Sequence, residues 1–148
     1  MSKEKQTPIT NPDLKRAMEL MHKGNHSREE QMVTLQLLLK AQLIAPVSVT
    51  QGKGEAQVHF QLLSTQDDRA FFPAFTDLEE LHKCFDKPDQ QTLVLTFADY
   101  ARMILKDKSA QGLVVNALGN SLTLEPPLVE YLDKVQKEHK QKSGADHK

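Results

Sequence analysis

The sequence predicts an α+β fold: a single domain with a mixed five- or six-stranded sheet, two N-terminal helices, and further helices packed on it. Three observations carry this. Apolar residues recur at helical spacing in two early stretches, 14–21 and 32–43. Gln57 to Leu63 begins with strand alternation, Val58, Phe60 and Leu62 opposing Gln57, His59 and Gln61. A Phe-x-Asp-apolar corner, running from a strand into a helix, occurs twice, at Phe75–Asp77 and at Phe97–Asp99.

Each element follows from local chemistry. Residues 1–10 read as a flexible arm. Asn11 is placed to cap a first helix, because Pro12 suits the first helical position. Leu14, Ala17, Met18 and Met21 form its apolar stripe, and Gly24 ends it. Ser27 and Glu30 make a capping box for a second helix, whose wide stripe (Met32, Leu35, Leu38, Leu39, Leu43) predicts deep burial. Pro46 closes that helix, and Ala45 to Thr50 read as a strand. Gln51 to Glu55 form a hairpin loop, Gln57 to Leu63 the next strand, and Arg69 to Phe75 the strand returning, which together predict a three-stranded meander.

A helix from Asp77 to about Phe85 follows, with Thr76 and Glu79 as its capping box and Thr96 with Asp99 as a second such pair. Thr92 to Phe97 is a strand, Ala98 to Leu105 a helix, and Gly112 to Ala117 a strand apolar enough to be central. Gly119-Asn120 signals a turn into the strand Ser121 to Glu125. Pro126-Pro127 opens a last helix with Leu128, Tyr131, Leu132 and Val135 on its apolar face. The domain is thus expected over 11–137, with a charged flexible tail over 138–148.

The chain has 148 residues, 39% of them hydrophobic and 26% charged, which suits one globular domain. Nineteen basic residues against twenty acidic ones give a formal charge of -1, which offers no electrostatic basis for binding nucleic acid. The longest apolar run is far below the ~20 residues a membrane helix requires. One cysteine, Cys84, fits a reducing compartment. The expectation is a cytoplasmic protein with neither nucleic-acid nor membrane partners.

The residue patterns that could carry chemistry each have a structural explanation. His22 and His26 are four apart, but Gly24 lies between them and a third ligand is missing. His82 lies two residues from Cys84, on a different side of a helix, so it is badly placed to activate the thiol. Gly52-Lys53-Gly54 lacks the rest of a phosphate-binding loop and reads as a hairpin turn. Asp77 and Asp99 could serve as paired carboxylates, yet acidic groups are favoured at helix N-termini by the backbone dipoles alone. No catalytic, cofactor-binding or metal-binding residues are therefore assigned.

Three stretches, "VHFQLLSTQDDRAFFPAFTDLEEL", "LTFADYARMILKD" and "QGLVVNALGNSLTLEP", together resemble the SseB (enhanced serine sensitivity) family, in its N-terminal domain. The resemblance covers about residues 10 to 135. Where that family commonly has Asn-Pro and an aromatic before the hairpin glycine, this chain has Asn116-Ala117-Leu118-Gly119. Family members often carry a second, C-terminal domain; a chain ending in "KSGADHK" reads as a stand-alone version or a piece of a longer one. The resemblance carries over no catalytic residues, and no cofactor is expected.

Together these readings predict a non-enzymatic cytoplasmic binding or regulatory module that engages a protein partner or pairs as a homodimer. The alternative is an enzyme, or a protein binding a small-molecule ligand of unknown identity, linked to amino-acid (serine) metabolism. The candidate surface lies where strand ends meet helix starts: Arg69, Phe72, Asp77, Tyr100, Asn116 and Asn120.

Overall fold

In the computed structural model, residues 9–24, 27–52, 54–106 and 110–146 are described, with side chains to residue 138. The arm expected over 1–10 lies outside these residues except for Ile9 and Thr10; His26 and Lys53 lie outside them as well.

Helix α1 spans Pro12–His22 and buries Leu14 and Met18. The Asn11 side chain does not cap it. Its amide instead donates to the carbonyls of Gln42 and Thr76, 2.9 Å each, tying together two chain segments that follow. The capping box of α2 (Arg28–Lys40) forms as the sequence predicts, with Ser27 Oγ accepting from the Glu30 amide at 3.1 Å. The α2 stripe is narrower than expected: Thr34 and Leu38 are buried, while Met32 and Val33 are half exposed.

Strand β1 (Gln42–Gln51) starts earlier than its residues suggest. The helix stops at Lys40 because Ala41 is already extended (ψ 151°). Leu43, Ile44, Ala45 and Val47 are all buried, so β1 is covered on both faces, and such a run lacks the alternation that separates strand from helix. Pro46 is tolerated mid-strand. Odd-numbered β1 residues turn their backbone groups towards the neighbouring strand β5 (Gln91–Thr96); even-numbered ones turn the other way, where the Pro46 carbonyl accepts from Gln61 N at 3.2 Å. The missing N–H of Pro46 therefore points beyond the end of the ladder on that side.

The expected meander is not formed. β1 pairs antiparallel with β2 (Ala56–Phe60) on one side and β5 on the other, giving the order β2-β1-β5. The strand predicted to return onto β2 instead joins a second sheet: β3 (Leu63–Ser64), β4 (Ala70–Ala74), β6 (Leu113–Val115) and β7 (Leu122–Leu124), in the order β3-β4-β6-β7. β4 and β6 run parallel, and the other pairs are antiparallel, so pairing is mixed as predicted, but split over seven strands in two sheets. A two-hydrogen-bond bridge between Ile44 and Phe75, 2.9 and 3.0 Å, joins the sheets.

Helix α3 (Leu78–Cys84) follows β4, and α4 (Phe97–Lys106) follows β5 directly. The Thr96–Asp99 pair caps α4, Asp99 Oδ2 accepting from the Thr96 amide at 3.0 Å. Helix α5 runs Pro126–Asp146, so its backbone stays helical into the charged stretch. It buries Val129 and Leu132; Tyr131, expected on its apolar face, is 61% exposed.

The main core gathers Leu43 and Ala45 of β1, Phe72 of β4, and Phe97, Tyr100 and Ile104 of α4. A smaller cluster, Ile44, Phe75 and Leu81, lies on the other face of β1, with Ile9, Cys84 and Phe85 packed against it. Phe71 and Phe75 belong to the core, as alternation predicts. Phe72, on the opposite face of β4, is buried too, because α4 covers that face; its ring meets those of Tyr100 and Phe60 edge-on at 6.3 Å. The Tyr100 hydroxyl donates to the Pro73 carbonyl at 3.0 Å. Tyr100→Phe keeps the packing and strands that carbonyl in the core. We expect a loss of about 1–2 kcal/mol in urea unfolding, with an unchanged near-ultraviolet spectrum.

Candidate functional site

The densest polar cluster forms where β4 runs into α3. Beyond the Phe75 bridge, Thr76 is fully buried. Its amide donates to Asn116 Oδ1 and its hydroxyl accepts from Asn116 Nδ2, both at 3.0 Å. Asn116 begins the turn between β6 and β7 with φ 54°, a left-handed conformation that asparagine tolerates. Gly119 N closes that turn on the Asn116 carbonyl at 2.9 Å.

The α3 cap is shifted one residue from the prediction. Asp77, not Thr76, is the N-cap, and Asp77 Oδ1 accepts from the Glu80 amide at 2.9 Å. Asn116 occupies both the amide and the hydroxyl of Thr76, so the next side chain takes the capping role. Lys15 of α1 then reaches across to Asp77 at 3.1 Å and Glu80 at 3.2 Å, and Lys83 meets Glu80 at 2.9 Å. Glu80 is 4% exposed, and its Oε1 lacks a hydrogen-bond donor. That oxygen packs on Gly119, so a Cβ at position 119 would push the Glu80 carboxylate from its place.

The charges in this corner are fixed. Burial would raise the Asp77 carboxyl, but the Glu80 amide and Lys15 outweigh it and hold it below the usual aspartate value. Burial would lower the Lys15 ammonium, but hydrogen bonds to Asp77 and Glu80 hold it well above the usual lysine value. Both therefore stay charged across neutral pH, and neither is poised to exchange a proton there. Burial pushes the Cys84 thiol up, away from the reactive thiolate. The corner is built to hold three segments together.

The structure brings Asp77 and Asn116 to this one corner, through Thr76. Phe72 and Tyr100 meet in the core. Arg69 stands apart: its guanidinium lies over the Phe71 ring at 5.2 Å and 3.8 Å from carboxylate oxygens of Asp67 and Glu125. Asn120 is exposed in the loop between β6 and β7. Sequence reasoning missed Lys15, Glu80, Lys83 and Gly119. Glu80 had a faint signal, being next to the Glu79 that a capping box would use; Lys15 had none, because its partner Asp77 is 62 residues away.

A second feature is open to solvent. Val58, Phe60 and Leu62 line a groove of about 400 Å³ whose far wall is Met103 and Lys106 of α4 and to which Phe72 also contributes. Val58 is 45% and Leu62 37% exposed. β2 is an edge strand: Gln57 and His59 turn their backbone groups towards β1, leaving those of Val58 and Phe60 pointing outward, without partners among the described residues. A larger groove, about 570 Å³, runs between α4 and α5; there Lys137 is already paired with Asp133 at 3.1 Å. His22 Nε2 lies 2.8 Å from the Ser121 carbonyl. Among the described residues, no group of three His, Cys, Asp or Glu side chains is arranged to hold a metal ion, and no helix is long and apolar enough to cross a membrane.

A family model described as SseB protein N-terminal domain matches residues 14–131. No curated protein and no solved structure matches the chain.

Proposed function

The chain belongs to the SseB family through an N-terminal domain that fills residues 14–131, and from that premise we propose that it is a non-enzymatic binding module which docks an extended segment of a partner protein along β2. The observation that carries this is the exposed apolar groove beside an unpaired strand edge. Outward N–H and C=O groups at Val58 and Phe60 supply main-chain pairing for an added strand. The groove takes apolar side chains at alternate positions of that strand, and Lys106 at its rim favours an acidic residue beside them. Of the surface expected from sequence, Phe72 takes part, as a wall of the groove. Asp77 and Asn116 fix the corner that follows β4. The half-buried single Cys84 suits a reducing compartment, and we place the module in the cytoplasm.

Peptides selected from a displayed library of extended sequences provide the test. The enriched sequences should alternate apolar residues with an acidic neighbour. Val58→Asp should weaken their binding by about tenfold or more, roughly 1.4 kcal/mol. Leu118→Asp, at an exposed loop position remote from β2, should leave it unchanged. Selected peptides that bind Val58→Asp as tightly as the parent would overturn the assignment. So would selection yielding no binders while free amino acids raise the melting temperature, which is the result expected of a small-molecule protein.

A further inference from the structure

At the opposite edge of the same sheet lies β5, Gln91-Thr92-Leu93-Val94-Leu95-Thr96. Exposed sheet edges are normally blunted by charges, proline or a bulge. β5 has no charge and no proline, its register with β1 is continuous, and Leu93 and Val94 are 38% and 49% exposed. Odd-numbered β1 residues face β5, so Leu43, Ala45 and Val47 exchange backbone hydrogen bonds with Leu95, Leu93 and Gln91. That leaves the N–H and C=O groups of Thr92 and Val94 pointing outward, with no partner among the described residues. The next outward amide, Thr96 N, is already taken by Asp99 Oδ2.

We infer that β5 is the interface of a closed homodimer, pairing antiparallel with β5 of a second copy about a two-fold axis at Leu93. That register satisfies the free edge with nothing left over. Thr92 of each copy exchanges both of its hydrogen bonds with the second copy's Val94, which uses every unpaired group and does not need Thr96. The two Leu93 side chains then form the close, non-hydrogen-bonded pair at the centre, on the core face of the sheet. The product is a continuous six-stranded sheet, β2-β1-β5-β5-β1-β2, which closes on itself and cannot grow through β5 into a fibre. The β2 edges stay free at its two ends, so partner docking and dimer formation are compatible.

Mass measurement by light scattering, across protein concentration, and cysteine cross-linking test this together. The parent chain should approach the dimer mass as concentration rises. Val94→Lys, at a half-exposed site, should keep the parent's circular dichroism and remain monomeric, because a lysine on an edge strand opposes strand addition and the two ammonium groups would lie diagonally across the two-fold axis on one face of the sheet. In a Cys84→Ser background, Leu93→Cys should form a disulfide-linked dimer on mild oxidation, since close antiparallel pairs place Cβ atoms about 4.5–5.5 Å apart. Gln57→Cys on β2 should not. A monomer mass at every concentration overturns the proposal. So does a dimer that survives Val94→Lys, or one in which Leu93→Cys does not cross-link.

Discussion

Replacing Gly112 with alanine is expected to destabilise this domain more than any other single methyl group added to the backbone. Gly112 opens β6 at φ 146°, a conformation L-residues rarely adopt. A Cβ there would lie 2.2 Å from the Leu124 carbonyl oxygen and 3.2 Å from Glu125 Cα. Both obstacles are backbone, so neither can rotate away. Shifting Leu124 breaks the β6–β7 pairing, whose first register pair is Leu113 with Leu124, both fully buried. Shifting Gly112 breaks the other side, because its carbonyl accepts from Phe72 N at 2.9 Å. Strain and clash together should cost about 3–5 kcal/mol, a large share of the roughly 5–15 kcal/mol that holds a domain folded. The melting temperature should fall by roughly 10 °C or more. A variant that melts with the parent would show that β6 and β7 do not approach as described.

Lys15→Met should have the next largest effect. It removes the cation shared by Asp77 and Glu80 and leaves the buried Glu80 carboxylate with Lys83 alone and one oxygen lacking any donor. Stripping a buried charge of a partner costs several kcal/mol when none remains. Lys83 and the partial exposure of Lys15 reduce this to about 2 kcal/mol. Glu80→Gln in the same chain should recover part of the loss, and the double-mutant cycle measures how much.

The pH dependence has a definite sign. Asp77 is depressed, so its contribution is complete above the ordinary value of 3.8 and disappears as pH falls through its lower folded value. Lys15 is raised, so its contribution is complete below 10.5 and disappears only as pH rises through its higher folded value. The gap between parent and Lys15→Met in urea titrations should be widest between those limits and narrow in acid. A gap that stays constant down to acid unfolding would place the loss in packing and not in charge.

Much of the fold was legible because its signals are local. Ser27 and Glu30 cap α2 through side chains three residues apart, and Thr96 and Asp99 do the same for α4. The Phe-x-Asp corners mark two strand-to-helix transitions for the same reason. Local signals fail where both faces of a strand are covered. β1 reads partly as helix because Leu43 to Val47 shows no polar alternation, and Phe72 reads as a surface residue because alternation separates it from Phe71. Strand pairing is not legible either. Nothing in Arg69 to Phe75 says that its neighbour is β6, forty residues on, when β2 lies close by in the chain. Of the polar corner, Asp77 and Asn116 could be picked out, since each follows or precedes a recognisable element. Lys15 could not, because a surface lysine on an amphipathic helix looks the same whether it faces water or a carboxylate.

The order of strands along the chain has a consequence for synthesis. β5 lies between β4 and β6 in sequence, yet belongs to the other sheet. A ribosome therefore releases β1 and β2 long before β5 arrives to complete their sheet, and releases β4 before β5, although β4 must wait for β6. Throughout that interval the nascent chain carries Phe71, Phe72 and Phe75 with no parallel neighbour for their strand, and α4, which covers Phe72, follows only after β5. At roughly 5–20 residues per second the exposure lasts seconds. A cluster of slow codons between Cys84 and Gly112 would prolong it, and a chain stalled there would be a substrate for chaperones that grasp aromatic segments.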